Sequence, residues 1–253
     1  MGNKYILPLL VMLIVQLAIP VSATQYTPPW THNYGYYYTT PPYPQDRSFD
    51  SRSYATYAAN IQSIVGYNSY DLPGSGAYIL FNNMKEDAVF FFSGHGGVVG
   101  DTPGGALECF NGTKSYIFAE DKGWDVFDDR YFLSSTTTEL NDILLALYVG
   151  CHTGKESDYF GNLVDMSSQK GVDNVIGFIH FIYFPPAGYW SDRFWYRCLY
   201  GGQGGSHQSF KYAASGAVAD VMIKYHGPYG LQFMYSKYSS IYEYLDPARY
   251  GVV

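Results

Sequence analysis

Three runs in this chain are apolar almost without interruption: Ala88 to Ser93 (Ala-Val-Phe-Phe-Phe-Ser), Ile143 to Val149, and Asn174 to Phe181. Runs of this length, bounded by polar residues or glycine, predict strands buried on both faces of a parallel sheet. Other stretches carry apolar residues at helical spacing. Tyr54, Tyr57, Ala58, Ile61, Ile64 and Val65 predict a helix over Ser51 to Tyr67, closing near Gly66. Shorter or less regular patterns predict helices over Ala77 to Met84 (after the Pro73-Gly74 turn), Asp158 to Lys170, Tyr189 to Tyr200 and Ser206 to Tyr225. Ala106 to Phe110 and Lys114 to Ala119 flank Asn111-Gly112, a strong hairpin signal. Strands alternating with helical stretches predict an α/β fold with a mainly parallel central sheet, helices on both faces and an inserted β-hairpin. No repeat of fixed period is present.

The two ends of this pattern differ from its middle. Residues 1–23 read as an export signal: Lys4, then apolar residues from Tyr5 to Ile19, then Pro20 and the small-residue triplet Val21-Ser22-Ala23. The run is a little short of the roughly 20 residues a spanning helix needs, which leaves a membrane anchor as the alternative. Residues 24–50 are rich in Tyr, Pro and Thr. They read either as an extended arm, because the prolines forbid a helix, or, over His32 to Tyr38, as the first strand of the domain. Residues 51–253 carry the main domain. The expected location is secreted or at the cell surface.

Composition narrows the function classes. The chain has 253 residues, is 47% hydrophobic and 15% charged, and carries a formal charge of −7. It can bury a real core, and it lacks the basic face that sequence-independent nucleic-acid binding needs. Its 28 tyrosines and 16 phenylalanines make it strongly aromatic. The three cysteines, Cys109, Cys151 and Cys198, are an odd count, so at least one thiol stays unpaired in a monomer. A Cys109–Cys198 bridge is one option. Cys198, on an aromatic helix face, also reads as a small buried hydrophobe.

Two of the three clearest strands end in a reactive side chain framed by glycine. The first ends at Gly94-His95-Gly96-Gly97, the second at Gly150-Cys151-His152-Thr153-Gly154. In an open α/β sheet, ligands bind beyond the carboxyl ends of the strands. A cysteine attacks as its thiolate, and a nearby imidazole can take the thiol proton and return it to a leaving amine. His95 is the candidate base and Cys151 the candidate nucleophile. The amide N–H groups of Gly96 and Cys151 are candidate oxyanion donors. The Gly-x-nucleophile-x-Gly elbow of α/β-hydrolases does not fit, because Val149 stands two residues before Cys151 and the histidine precedes the nucleophile.

Phe92-Ser93-Gly94-His95-Gly96-Gly97 together with Gly150-Cys151-His152-Thr153-Gly154 resembles the two signature blocks of the caspase-like (clan CD) cysteine peptidases. Within that group the blocks are most similar to metacaspases, with Ser-Gly-His-Gly and Cys-His-Ser-Gly, and to CHAT-domain peptidases. Val175 to Phe181, followed by Ser191-Asp192-Arg193, is similar to the segment after the catalytic strand of CHAT domains. The resemblance spans roughly residues 50–225. It implies a three-layer caspase-like fold, a His95/Cys151 dyad, Gly96 and Cys151 as oxyanion donors, and a protein or peptide substrate. It implies no cofactor. Where metacaspases place an acid two residues before the nucleophile this chain has Val149, so a preference for basic residues does not follow from that position. Asp192 is the candidate pocket acid, with an N-cap for the following helix as its other reading.

Other candidates have plainer readings. His152 could join His95 and Cys151 in a zinc site, but no fourth ligand stands at useful spacing. The carboxylates from Glu120 to Asp129 lack a calcium-loop pattern and read as a solvated loop. His180, inside an apolar run, reads as a core histidine. The sequence therefore predicts an exported cysteine endopeptidase that acts through a thioester. A catalytically silent caspase-like surface or cell-envelope binding protein is the alternative.

Overall fold

The computed structural model describes residues 29–38, 49–99, 102–123, 129–137, 140–201 and 206–250. The predicted export signal lies outside these residues. A central sheet of six strands has the order β12-β11-β10-β5-β1-β4. Its members are β1 (Trp30–Gly35), β4 (Asn68–Pro73), β5 (Asp87–Ser93), β10 (Leu145–Val149), β11 (Asn174–Phe178) and β12 (Met234–Tyr238). All neighbouring pairs are parallel except β11 with β12, which is antiparallel. A two-residue ribbon joins β2 (Tyr37–Tyr38) to β3 (Phe49–Asp50).

Burial explains the apolar runs. Every residue of β5, β10 and β11 is buried, and alternate side chains enter different cores. Val89, Phe91, Leu145, Leu147, Val149, Ile176 and Phe178 pack on one face against α1 (Arg52–Val65), α4 (Pro186–Tyr200) and α5 (Phe210–Tyr225). Phe90, Phe92, Ala146, Tyr148 and Val175 pack on the other against α2 (Ala77–Met84) and α3 (Leu163–Gln169). The sheet thus sits between two helical layers, and a strand covered twice has no polar face to show in its sequence.

Between β5 and β10 the chain builds more than a hairpin. A second sheet has the order β6 (Gly96–Val99), β7 (Thr102–Phe110), β8 (Lys114–Phe118), β9 (Arg130–Phe132). The predicted hairpin is its β7–β8 pair, in which Phe110 faces Lys114 across Asn111, Gly112 and Thr113.

Of the two readings of residues 24–50, the first strand is the one the structure shows: β1 lies inside the main sheet and its Tyr34 is fully buried. Other expectations change. The helix expected from Asp158 begins at Leu163. Gly161 takes a left-handed φ of +68°, and Asn162 caps the first turn by accepting from the Val164 and Asp165 amides. The strand expected to run to Phe181 stops at Phe178, so His180 is exposed rather than a core residue. Cys109 and Cys198 lie in cores on opposite sides of the sheet, and all three cysteines are free.

Candidate active site

Ser93 and Val149 are register partners at the carboxyl ends of β5 and β10. The residues two beyond each, His95 and Cys151, therefore emerge from neighbouring strands at the same edge, where open α/β sheets place their ligands. The two turns touch backbone to backbone. The Gly94 N–H donates to the Val149 carbonyl at 3.0 Å. A β-carbon on Gly96 would stand 2.6 Å from both the Cys151 carbonyl oxygen and the Thr153 methyl, and one on Gly97 would stand 2.6 Å from His152 Cβ. No larger residue fits there without moving one of the turns.

Thr153 fastens the cysteine turn to the sheet. Its buried hydroxyl lies 2.9 Å from the Tyr148 carbonyl and 3.1 Å from that of Gly150, and it accepts the Phe178 N–H at 3.1 Å. His152 adopts a left-handed φ of +56°, a conformation that strains a residue with a β-carbon. Its buried ring turns inward, with Nδ1 donating to the Ile179 carbonyl at 3.1 Å and the ring edge against Phe181. Burial lowers its pKa, while the hydrogen bond to Ile179 opposes the shift. His152 pins the cysteine turn to the segment after β11. Among the described residues no three His, Cys, Asp or Glu side chains gather into a metal cradle.

Because the Glu108 N–H donates to the His95 carbonyl at 3.0 Å, Gly96 and Leu107 form a non-hydrogen-bonded pair. The Gly96 N–H therefore points away from β7 and toward the cysteine turn. Its nitrogen would stand 3.2 Å from a β-carbon on Gly150, and a β-carbon on Gly96 would stand 3.2 Å from the Cys151 nitrogen. The Gly96 and Cys151 nitrogens thus both lie where the two turns meet.

The side chains are less closely joined than the backbones. Cys151 is half-buried, and its Sγ accepts the Ile182 N–H at 3.4 Å while lying 3.5 Å from the Ile182 carbonyl. Burial pushes the thiol pKa up, and the Ile182 and Cys151 N–H groups draw it partly back. His95 is exposed, and its ring stands perpendicular to Tyr36 at 4.9 Å between centroids. Among the described residues, no hydrogen bond joins the Cys151 thiol to His95. The structure brings the two turns together and leaves the thiol resting on Ile182.

Asp192 is neither an N-cap nor part of a loop. It sits inside α4, which begins six residues earlier at Pro186. Partial burial raises its pKa to about 6, with Lys224 opposing the shift, and its charge is felt by Tyr54 and Tyr57. Tyr36, Glu108 and Ile182 touch the reactive turns and carry no motif that marks them in sequence. Two open hollows near Arg249 and Lys237 include Leu144 and Asp173, which precede β10 and β11. They lie at the amino ends of the strands, away from the cysteine turn.

No protein-family model and no curated protein matches the sequence. Among solved structures the chain is similar to the Arg-specific cysteine proteinase gingipain R, with a TM-score of 0.56 and 11% identity over 85% of this chain and 47% of the other. The chain spans about half the length of that protein. The likeness defines a fold class, and that class is caspase-like: a mostly parallel sheet between helical layers.

Proposed function

We propose that this protein is an exported cysteine endopeptidase of the caspase-like group, related through its two signature blocks to metacaspases and CHAT-domain peptidases. The observation that carries this reading is the contact between the His95 and Cys151 turns at the carboxyl ends of neighbouring strands. In the reaction Sγ leaves Ile182, gives its proton to His95 and attacks the scissile carbonyl carbon. The oxyanion is held by the Gly96 and Cys151 amides. As the tetrahedral intermediate collapses, the C–N bond breaks and His95 returns the proton to the leaving amine, giving a thioester. Water then attacks the thioester, His95 takes its proton, and the peptide acid leaves as the thiol reforms. Hydrogen bonds of this kind are commonly long in unliganded enzymes and close when substrate docks.

The substrate is a protein or peptide chain of still unassigned residue preference. The arginine specificity in the name of gingipain R does not transfer to this chain, because a likeness at 11% identity carries the fold alone and Val149 is apolar. The test is covalent labelling by a peptide bearing an acyloxymethyl ketone. Wild type is expected to label, Cys151→Ala not at all, and His95→Ala at least 100-fold more slowly. Equal labelling of wild type and His95→Ala would remove the dyad. No labelling of the wild type would favour the silent binding module.

A further inference from the structure

The strand order of the main sheet reverses between β1 and β5: the chain runs from β1 to β4 on one side, then to β5, β10 and β11 on the other. His95 leaves β5 at this switch point, and Tyr36 leaves β1 beside it, since Gly35 and Ser93 are register partners. From this juxtaposition we propose that Tyr36 and Glu108 are positioning residues for the His95 imidazole. The inference rests on the peptidase reading above and deepens it.

Tyr36 is held at both ends. Its backbone N–H lies 3.0 Å from the Ser93 carbonyl and 2.9 Å from the Ser51 hydroxyl, and its carbonyl accepts the Ser51 N–H at 2.9 Å. The Ser51 hydroxyl in turn donates to the Ser93 carbonyl at 2.6 Å. At the far end the Tyr36 hydroxyl donates to Glu108 Oε1 at 2.8 Å. Between these anchors the buried ring meets His95 at right angles. The fit also requires a glycine at the preceding position, because a β-carbon on Gly94 would stand 3.1 Å from Tyr36 Cβ and 2.9 Å from the Phe92 ring.

Glu108 grips the same histidine twice. Its N–H donates to the His95 carbonyl, and its carboxylate holds the hydroxyl of the ring that His95 leans on. Lys114 Nζ lies 3.3 Å from the carboxylate, and burial together with the Glu108 charge raises the pKa of the neighbouring Tyr116 hydroxyl. An exposed histidine on a turn would otherwise sample several rotamers, only some of which face Cys151. A fixed ring beside it removes the others before substrate arrives. The carboxylate, paired with Lys114, thus holds the tyrosine ring in place behind the imidazole.

The experiment follows iodoacetamide alkylation of Cys151 by mass spectrometry from pH 5 to 9, with kcat and KM measured on any peptide the wild type cleaves. Tyr36→Leu is expected to lower kcat about 10–100-fold with KM within twofold. It should also raise the apparent pKa of alkylation by about one unit, toward the profile of His95→Ala. Tyr36→Phe keeps the ring but loses its hydroxyl anchor to Glu108, so its kcat should fall between those of wild type and Tyr36→Leu. Glu108→Gln keeps an acceptor for the Tyr36 hydroxyl and should retain most of the rate, whereas Glu108→Ala should fall toward Tyr36→Leu. If the Tyr36→Leu, Tyr36→Phe and Glu108→Ala profiles all overlay wild type while His95→Ala differs, positioning is refuted and the dyad stands. If His95→Ala also overlays wild type, the dyad and its positioning fall together.

Discussion

Replacing Gly96 by alanine adds one methyl group where the two reactive turns touch, and the consequence can be worked from the contacts. Gly96 does not require a left-handed φ, so the perturbation is steric. The new carbon would stand 2.6 Å from the Cys151 carbonyl oxygen and the Thr153 methyl, against 3.4 Å for ordinary contact, so something must move by about 0.8 Å. Thr153 cannot rotate away without breaking the hydrogen bonds that tie it to Tyr148, Gly150 and Phe178. The His95 and Cys151 turns must therefore separate. Forced overpacking of this kind costs about 1–3 kcal/mol. In a domain of this size that lowers the melting temperature by roughly 4–8 °C for a mid-range 2 kcal/mol. A displacement approaching 1 Å between base and nucleophile slows the chemistry by about 100-fold. Thermal melting read by circular dichroism and labelling of Cys151 by the peptide ketone measure the two effects. Gly112→Ala is the control: its φ of +105° is strained, but no atom lies within 4 Å of the added carbon. It should lower stability and leave labelling unchanged. A Gly96→Ala protein that melts and labels like wild type would refute the close approach of the turns.

Three further outcomes are expected. Native protein exposed to iodoacetamide should gain a single adduct at Cys151, because Cys109 and Cys198 are fully buried and burial raises both thiols; peptide mapping that finds either of them modified before denaturation would contradict those cores. Asp220→Asn should destabilise the α4–α5 contact by about 1–3 kcal/mol, since Arg193 and Arg197 both bind that carboxylate at 2.8–2.9 Å. Burial alone would raise the Asp220 pKa, but the two guanidiniums bring it below the usual value, so its contribution is present above about pH 4 and lost as pH falls further; the gap in melting temperature between wild type and variant should narrow in acid. Asn162→Asp keeps the helix cap but cannot donate to the Gly154 carbonyl as Nδ2 does at 2.9 Å, whereas Asn162→Ala loses both. Alanine should cost about 1–2 kcal/mol in denaturant melts, and aspartate at least as much, because its buried carboxylate would set an oxygen against the Gly154 carbonyl oxygen.

The candidate chemistry was legible for a definite reason. A strand covered on both faces must be apolar throughout, so β5 and β10 stand out as uninterrupted runs, and the glycines that let the two turns approach each other mark their ends. Pairing two such ends, one with His95 and one with Cys151, needs only a parallel sheet. Edge strands carry no such signal. β4 ends in Pro73 and is nowhere fully buried, and every residue of β12 is only half-buried, so neither shows a clear period. His180 and Asp192 were misplaced because an apolar run does not reveal where pairing stops, nor a helix pattern where its first turn begins.

Local order along the chain determined the buried strands, the hairpin, most of the helices and the two glycine-framed turns, since each depends on neighbours within about a dozen residues. Only the tertiary structure decided that β5 lies between β1 and β10, and with that the meeting of Tyr36, His95, Glu108 and Cys151, residues spread over more than a hundred positions. It also decided that the thiol rests on Ile182 and that Cys109 and Cys198 lie on opposite faces of the sheet. Strand order and side-chain partnership follow from how whole layers bury their surfaces against each other, and no short segment carries that information.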